Sequence, residues 1–256
     1  MNFRNISQRE WVNLWRTIVV QRSMERLQVA VLDASYNDSH TRRNFRREIG
    51  VETVEFDVTR GDLPKNFDFD AIVVTGSRAS VYWEDEWIEE LMKWLGESVE
   101  REIPHLGVCF GHQILAVVLG GKVESMGDFE IGYNEIQQVG ENKLLEGIPE
   151  TFVSFSTHGD VVTKIPPKSL LIAKNEYGIQ GWNKGNIWTV QFHPEYDLKT
   201  IKDTTPKKEG PLIPHTKIEK ILAESTKVMH YKISETKRLF DNFIELAGEM
   251  RQHGTN

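Results

Sequence analysis

Between Leu27 and Leu119 short apolar runs alternate with longer amphipathic ones, and this alternation restricts the fold of the chain more than any other feature. Leu27–Asp33, Val51–Asp57, Asp70–Thr75 and Ile103–Val108 have the length of strands, whereas Ser39–Glu48, Glu84–Val99 and Gly111–Leu119 read as helices. Asp70–Thr75 is apolar at successive positions, as a strand covered on both faces must be. Repeated strand–helix–strand units build a parallel sheet with helices on both faces, and ligands gather beyond the carboxyl ends of its strands.

From Lys122 onward the period shortens. Tyr133–Val139, Phe152–Ser156, Ser169–Lys174, Gly178–Trp182 and Ile187–Phe192 are predicted strands, mostly antiparallel. Asp203–Pro214, with three prolines, is a predicted loop, and helices over Thr216–Val228 and Ser234–Glu249 end the chain. The expected fold is an α/β three-layer sandwich with a mostly parallel central sheet, an antiparallel extension and a C-terminal helical tail. The expected division is an extension over 1–26, a domain over 27–200, and a loop and helical tail over 201–256 packed on that domain.

In the extension Trp11, Leu14, Trp15, Ile18 and Val19 form one helical stripe among five arginines. Docking on protein is the expectation, ahead of an anionic membrane surface. Met24 stands directly before the first strand and is an alternative start.

Composition narrows the function. With 31 Lys plus Arg against 38 Asp plus Glu, the net charge of −7 argues against a protein built to grip phosphate backbone. No apolar run reaches about 18 residues and no secretory leader is seen, so the expectation is a cytoplasmic protein without membrane or nucleic-acid partners. One cysteine, Cys109, permits neither an intrachain disulfide nor a thiolate metal cluster. It is either a core filler or a working thiol.

Its setting is Gly107-Val108-Cys109-Phe110-Gly111, between a buried strand and a helix. A tight strand-to-helix turn of this kind lifts a nucleophile clear of the sheet, and the amides and dipole at the helix start favour an anionic sulfur. A thiol nucleophile needs an imidazole to manage protons, and the imidazole needs an acceptor to set its tautomer. His193-Pro194-Glu195, at the end of the last predicted strand, offers both. The order Cys, His, Glu departs from the Ser, Asp, His order of α/β-hydrolases.

Taken together, these segments give the chain a form that resembles the class I glutamine amidotransferases, and within them the glutaminase domain of GMP synthetase. The resemblance rests on Gly107–Gln113 (G-x-C-x-G-x-Q) and Phe192–Glu195 (F-H-P-E), with Thr75–Tyr82 and Ser156–Asp160 in matching order. It implies that Cys109 attacks the glutamine side-chain amide to form a thioester, that His193 moves the proton and that Glu195 orients His193. It implies an oxyanion hole from the backbone N–H groups of Gly76 and Phe110, and a glutamine pocket from Gln113, Thr157, His158, Gly159 and Asp160. No metal or cofactor is implied.

Ser77-Arg78 stands where the family carries Gly-Pro, although Gly76 is kept, and the tail beyond Asp197 is longer than a glutaminase subunit needs. His112 is given no catalytic role. Neither a pyrophosphatase loop nor a G-x-x-x-x-G-K-[ST] loop is present, so an ATP-dependent synthetase using the ammonia has to be another chain. The arginines of 41–48 and Arg78 are surfaces on which it could dock, set against the plainer reading of a solvated face. Two alternatives stay open: a stand-alone γ-glutamyl peptidase, and a catalytically silent regulatory subunit, which an intact Cys109, His193 and Glu195 disfavour.

Overall fold

A computed structural model describes residues 27–254; the amphipathic stripe of 1–26 lies outside the described residues. Its centre is a nine-stranded sheet of order β2-β1-β3-β4-β9-β8-β7-β5-β6. Strands β1 (Gln28–Asp33), β2 (Glu52–Asp57), β3 (Ala71–Val74) and β4 (His105–Val108) are parallel, as the alternation of the sequence requires. Strand β9 (Ile187–Val190) is the joint of the sheet, parallel to β4 on one side and antiparallel to β8 (Gly178–Lys184) on the other. The antiparallel half continues through β7 (Leu170–Asn175) into the long hairpin β5 (Lys122–Gln138) and β6 (Thr151–Lys164).

The unbroken apolar strands follow from burial on both faces. Val29, Val31, Val73 and Leu106 point to one side, where α1 (Ser39–Ile49) and α7 (Arg238–Gly254) supply Phe45, Leu239, Phe240 and Phe243. Ala30, Leu32, Ile72 and Val74 point to the other, against Ile88, Leu91 and Leu95 of α2 (Glu86–Glu100) and Ile114 and Leu115 of α3 (Phe110–Val118). These three layers match the expected class. Helix α3 ends where Gly120 turns left-handed at φ 86° and Gly121 N–H reaches back to Ala116 O.

Three expectations need correction. The hairpin strand β5 starts at Lys122, not Tyr133, because pairing with β6 holds a segment whose side chains are largely exposed and show no apolar period. The segment 203–214 is only partly loop: α4 (Leu198–Thr204) runs into a 3-10 turn over Thr205–Lys208. The helix expected over Thr216–Val228 is two, α5 (His215–Glu224) and α6 (Lys227–Ser234), since the Thr226 hydroxyl accepts from Met229 N–H and starts a new helix. Ile201, Ile213, Ile218, Ile221 and Ile233 from this region pack on Ile131 and Phe155 of the hairpin.

Candidate active site

The sheet register decides what meets at its carboxyl edge. Val108 of β4 pairs with Val190 of β9, and Val74 of β3 pairs with Gly107, so the residues leaving these three strands emerge side by side. Cys109 leaves β4 with φ 53° and ψ −101°, a conformation that costs a non-glycine residue roughly 1–3 kcal/mol. The turn is held on both sides: Cys109 N–H donates to Val190 O at 2.9 Å, and Gln113 N–H donates to Cys109 O at 3.1 Å.

Glycines flank the turn because the helix start presses on the strands. A Cβ on Gly111 would lie 2.3 Å from Val74 O, and one on Gly107 would lie 2.5 Å from Gly111 O. Phe110 opens α3, so its N–H is among the helix-start amides with no intrahelical acceptor.

His193 follows β9, its N–H bonded to Phe155 O at 2.8 Å. Its Nδ1 lies 2.7 Å from Glu195 Oε1. A carboxylate there only accepts, so the proton sits on Nδ1 and Nε2 is left for chemistry. Among the described residues Nε2 has no aligned hydrogen-bond partner, although Cys109 is near enough to act on the ring electrostatically. Burial disfavours the charged ring, but Glu195 and then Cys109 outweigh it and push His193 up to about 10. Arg47 donates to Glu195 O at 3.0 Å, and the Tyr196 ring lies 4.3 Å from the imidazole, centre to centre.

Gly76 sits between the two groups. A Cβ there would lie 2.9 Å from His193 Cε1 and 3.5 Å from Cys109 Cβ, so only glycine lets ring and thiol share this corner.

Cys109 is 4% exposed, yet it opens into a cavity of about 290 Å³ that Gln113, Thr157, His158, Gly159 and Asp160 also line. Most of their polar atoms are spent within the protein. Gln113 Nε2 donates to Asp160 O and Gln191 Oε1, and the Asp160 carboxylate accepts from Ser80 at 2.5 Å and Tyr82 at 2.7 Å. His158 Nδ1 donates to Asp160 O, and its Nε2 lies 2.8 Å from the buried Glu130 carboxylate. Burial opposes the Glu130 charge, but His158, with Asn175 and Ser156, outweighs it and draws this acid below the usual carboxylate range. His112 is walled off: Thr189 Oγ1 gives its proton to Trp182 O and accepts from His112 Nδ1, while burial pulls the ring down to about 3.

Several neighbours carried no sequence signal strong enough to single them out. A second cavity of about 510 Å³ adjoins His193 and Glu195, lined also by Tyr36, Asp38, Tyr196 and Lys207. Lys208, on a segment legible only as loop, reaches both cavities. Tyr196 directly follows the His-Pro-Glu turn, and that adjacency was the one available clue. The α1 arginines are ion-paired, Arg42 to Asp33, Arg43 and Arg47 to Asp197, Arg46 to Glu55, while Arg46 and Arg47 stay exposed. Among the described residues no group of three His, Cys, Asp or Glu could hold a metal, and no helix is long and apolar enough to cross a membrane.

Comparison with known proteins identifies a family. Residues 30–210 match the family model described as glutamine amidotransferase class-I. The GMP synthase (glutamine-hydrolyzing) of Clostridium novyi is 33% identical over 180 residues, covering 68% of this chain and 34% of that protein. That of Petrotoga mobilis is 32% identical over 177 residues, covering 67% and 33%. The chain thus spans about a third of the length of the curated relatives it matches. A glutamine amidotransferase from Thermotoga maritima superposes with a TM-score of 0.71 at 22% identity, over 85% of this chain and 98% of that one. A glutamine amidotransferase from Methylobacillus flagellatus does so with a TM-score of 0.72 at 18% identity, over 87% and 95%.

Proposed function

Because the chain belongs to the class I glutamine amidotransferase family, we propose that it hydrolyses the side-chain amide of glutamine in the cytoplasm through a thioester on Cys109. One observation carries the reading: Cys109 and His193 meet across Gly76, with Nδ1 of the ring committed to Glu195 and Nε2 left unpartnered.

In this mechanism Sγ attacks the amide carbon, and the amide oxygen takes the electron pair. The backbone N–H groups of Gly76 and Phe110 hold that oxyanion, a contribution of roughly 3–4 kcal/mol per donor in comparable sites. His193 gives its Nε2 proton to the nitrogen, the C–N bond breaks, and ammonia leaves a γ-glutamyl thioester. The ring, now neutral, takes a proton from water as that oxygen attacks the thioester, and glutamate departs with the sulfur restored. Glu195 fixes the tautomer throughout. Gln113, His158 and Asp160 shape the glutamine pocket rather than offering free donors, since their polar groups are already paired.

The ammonia acceptor in this reading is a synthase activity, which the relatives' name, GMP synthase (glutamine-hydrolyzing), suggests. The test is glutamate release by the wild-type protein and by Cys109→Ala, with a diazoketone analogue of glutamine as label. Labelling confined to Cys109 and loss of turnover in the variant are expected. Wild-type turnover that survives the substitution would end the proposal. A second reading, a stand-alone γ-glutamyl peptidase, draws on the 510 Å³ cavity beside His193, which has room for a leaving amine larger than ammonia. A kcat/KM for γ-glutamyl dipeptides above that for glutamine, unaltered by synthetase partners, would favour it.

A further inference from the structure

Two cations stand at the junction of the two cavities without a carboxylate in ion-pair contact among the described residues. Ser77, Arg78, Thr157 and Lys208 line both the Cys109 cavity and the His193 cavity. Neither Arg78 nor Lys208 has a carboxylate within ion-pair distance among the described residues, in contrast to the arginines of α1. Arg78 rests on the Tyr36 ring at 4.3 Å, and the Lys208 ammonium lies 5.9 Å from the Phe129 ring centre. Lys208 is half-buried and close enough to Cys109, Arg78 and Asp38 to interact with them electrostatically; burial, the largest influence, lowers its pKa, with Arg78 adding to it and Cys109 and Asp38 opposing it. A half-buried ammonium without a counter-ion in contact is more stable when a ligand supplies one.

Its position is built rather than incidental. Asp197 caps α4 by accepting from Thr200 N–H, and Arg43 and Arg47 clamp the same carboxylate to α1. Helix α4 then delivers the 3-10 turn that ends in Lys208. The same cavity is lined by Asp128 and Asp160, so it carries both signs of charge, as an α-amino acid group requires.

We propose that Lys208, with Arg78 beside it, binds the α-carboxylate of the γ-glutamyl substrate, making the segment after α4 a specificity-determining part of the site. This rests on Cys109 being the nucleophile. In glutamine the amide carbon and the α-carboxylate are joined by the Cγ–Cβ–Cα stem, so a cation near the sulfur but outside its bonding range suits that carboxylate. Arg78, where the family pattern has proline, then acquires a role.

The test uses Lys208→Met, Lys208→Arg and Arg78→Met in the full chain, with thermal midpoints checked first. For Lys208→Met the KM for glutamine is expected to rise roughly ten- to a hundredfold, with a much smaller fall in kcat, and Lys208→Arg is expected to recover most of it. Glutamine whose α-carboxylate is converted to an amide should be a poor substrate for wild type and lose that handicap in Lys208→Met. A readout independent of turnover is Cys109 alkylation by anionic iodoacetate relative to neutral iodoacetamide, a ratio expected to fall severalfold in Lys208→Met and in Arg78→Met. An unchanged ratio with an unchanged KM overturns the proposal while leaving Cys109 as nucleophile. A fallen ratio in a protein that never releases glutamate overturns the catalytic reading and leaves the carboxylate site standing.

Discussion

The backbone N–H of Cys109 donates to the carbonyl of Val190 at 2.9 Å, which ties the turn carrying the thiol to the strand that delivers His193. The two reacting groups of the proposed mechanism are therefore fixed by neighbouring strands of one sheet rather than by mobile loops. Pre-organisation of this kind lowers the reorganisation needed at the moment of reaction.

Backbone strain at Cys109 separates function from stability. Cys109→Gly should lose glutaminase activity completely, as deletion of a nucleophile costs roughly a millionfold elsewhere. Its thermal midpoint should nevertheless match or exceed that of wild type, because glycine adopts φ 53° freely. Calorimetry showing a large drop would mean that the side chain is a core filler.

Gly76→Ala places a methyl group 2.9 Å from His193 Cε1. Displacing the ring by a fraction of an ångström to an ångström should lower kcat roughly a hundredfold. KM for glutamine should move little, and steady-state kinetics would show the split.

Glu195→Gln removes the anion that does most to raise the pKa of His193. In wild type the ring titrates near 10, against about 6.5 when unfolded, so its stabilising contribution is complete below pH 6.5 and is lost as pH rises through about 10. Denaturant melts across pH 6 to 10 should therefore show a decline in wild type that flattens in the variant, a window set by those two values. Turnover should fall roughly ten-thousandfold, as with a wrongly set tautomer.

Asp197→Asn tests the clamp beneath the site. Burial opposes the charge of Asp197, but Thr200 and then Arg47 and Arg43 draw its pKa down to about 2 from 3.8. The stability it confers is present above pH 3.8 and lost as pH falls through about 2, so the variant should lose part of the acid-side slope. Loosening α4 should also displace Lys208 and raise KM more than it lowers kcat.

Local patterns were enough for the parallel half of the sheet. Apolar runs such as Ala71–Val74 are buried on both faces, and the glycines at 107 and 111 advertise a turn whose tightness forbids side chains. Thr226, in contrast, carried a capping signal that the apolar spacing around it obscured. Strand β5 was shortened because its first residues face solvent, where no period is imposed.

What the chain order alone determined was the chemistry available: one thiol, Cys109, on a tight bend and an imidazole, His193, at the end of the last predicted strand with Glu195 two residues on. Their meeting was decided by the Val108–Val190 register, and the arrival of Lys208 near them by Asp197, the cap of α4, which pairs with arginines on α1. Turns and caps act between residues close in sequence and leave a local trace. Register and long-range ion pairs act between residues far apart, and only the folded chain brings those together.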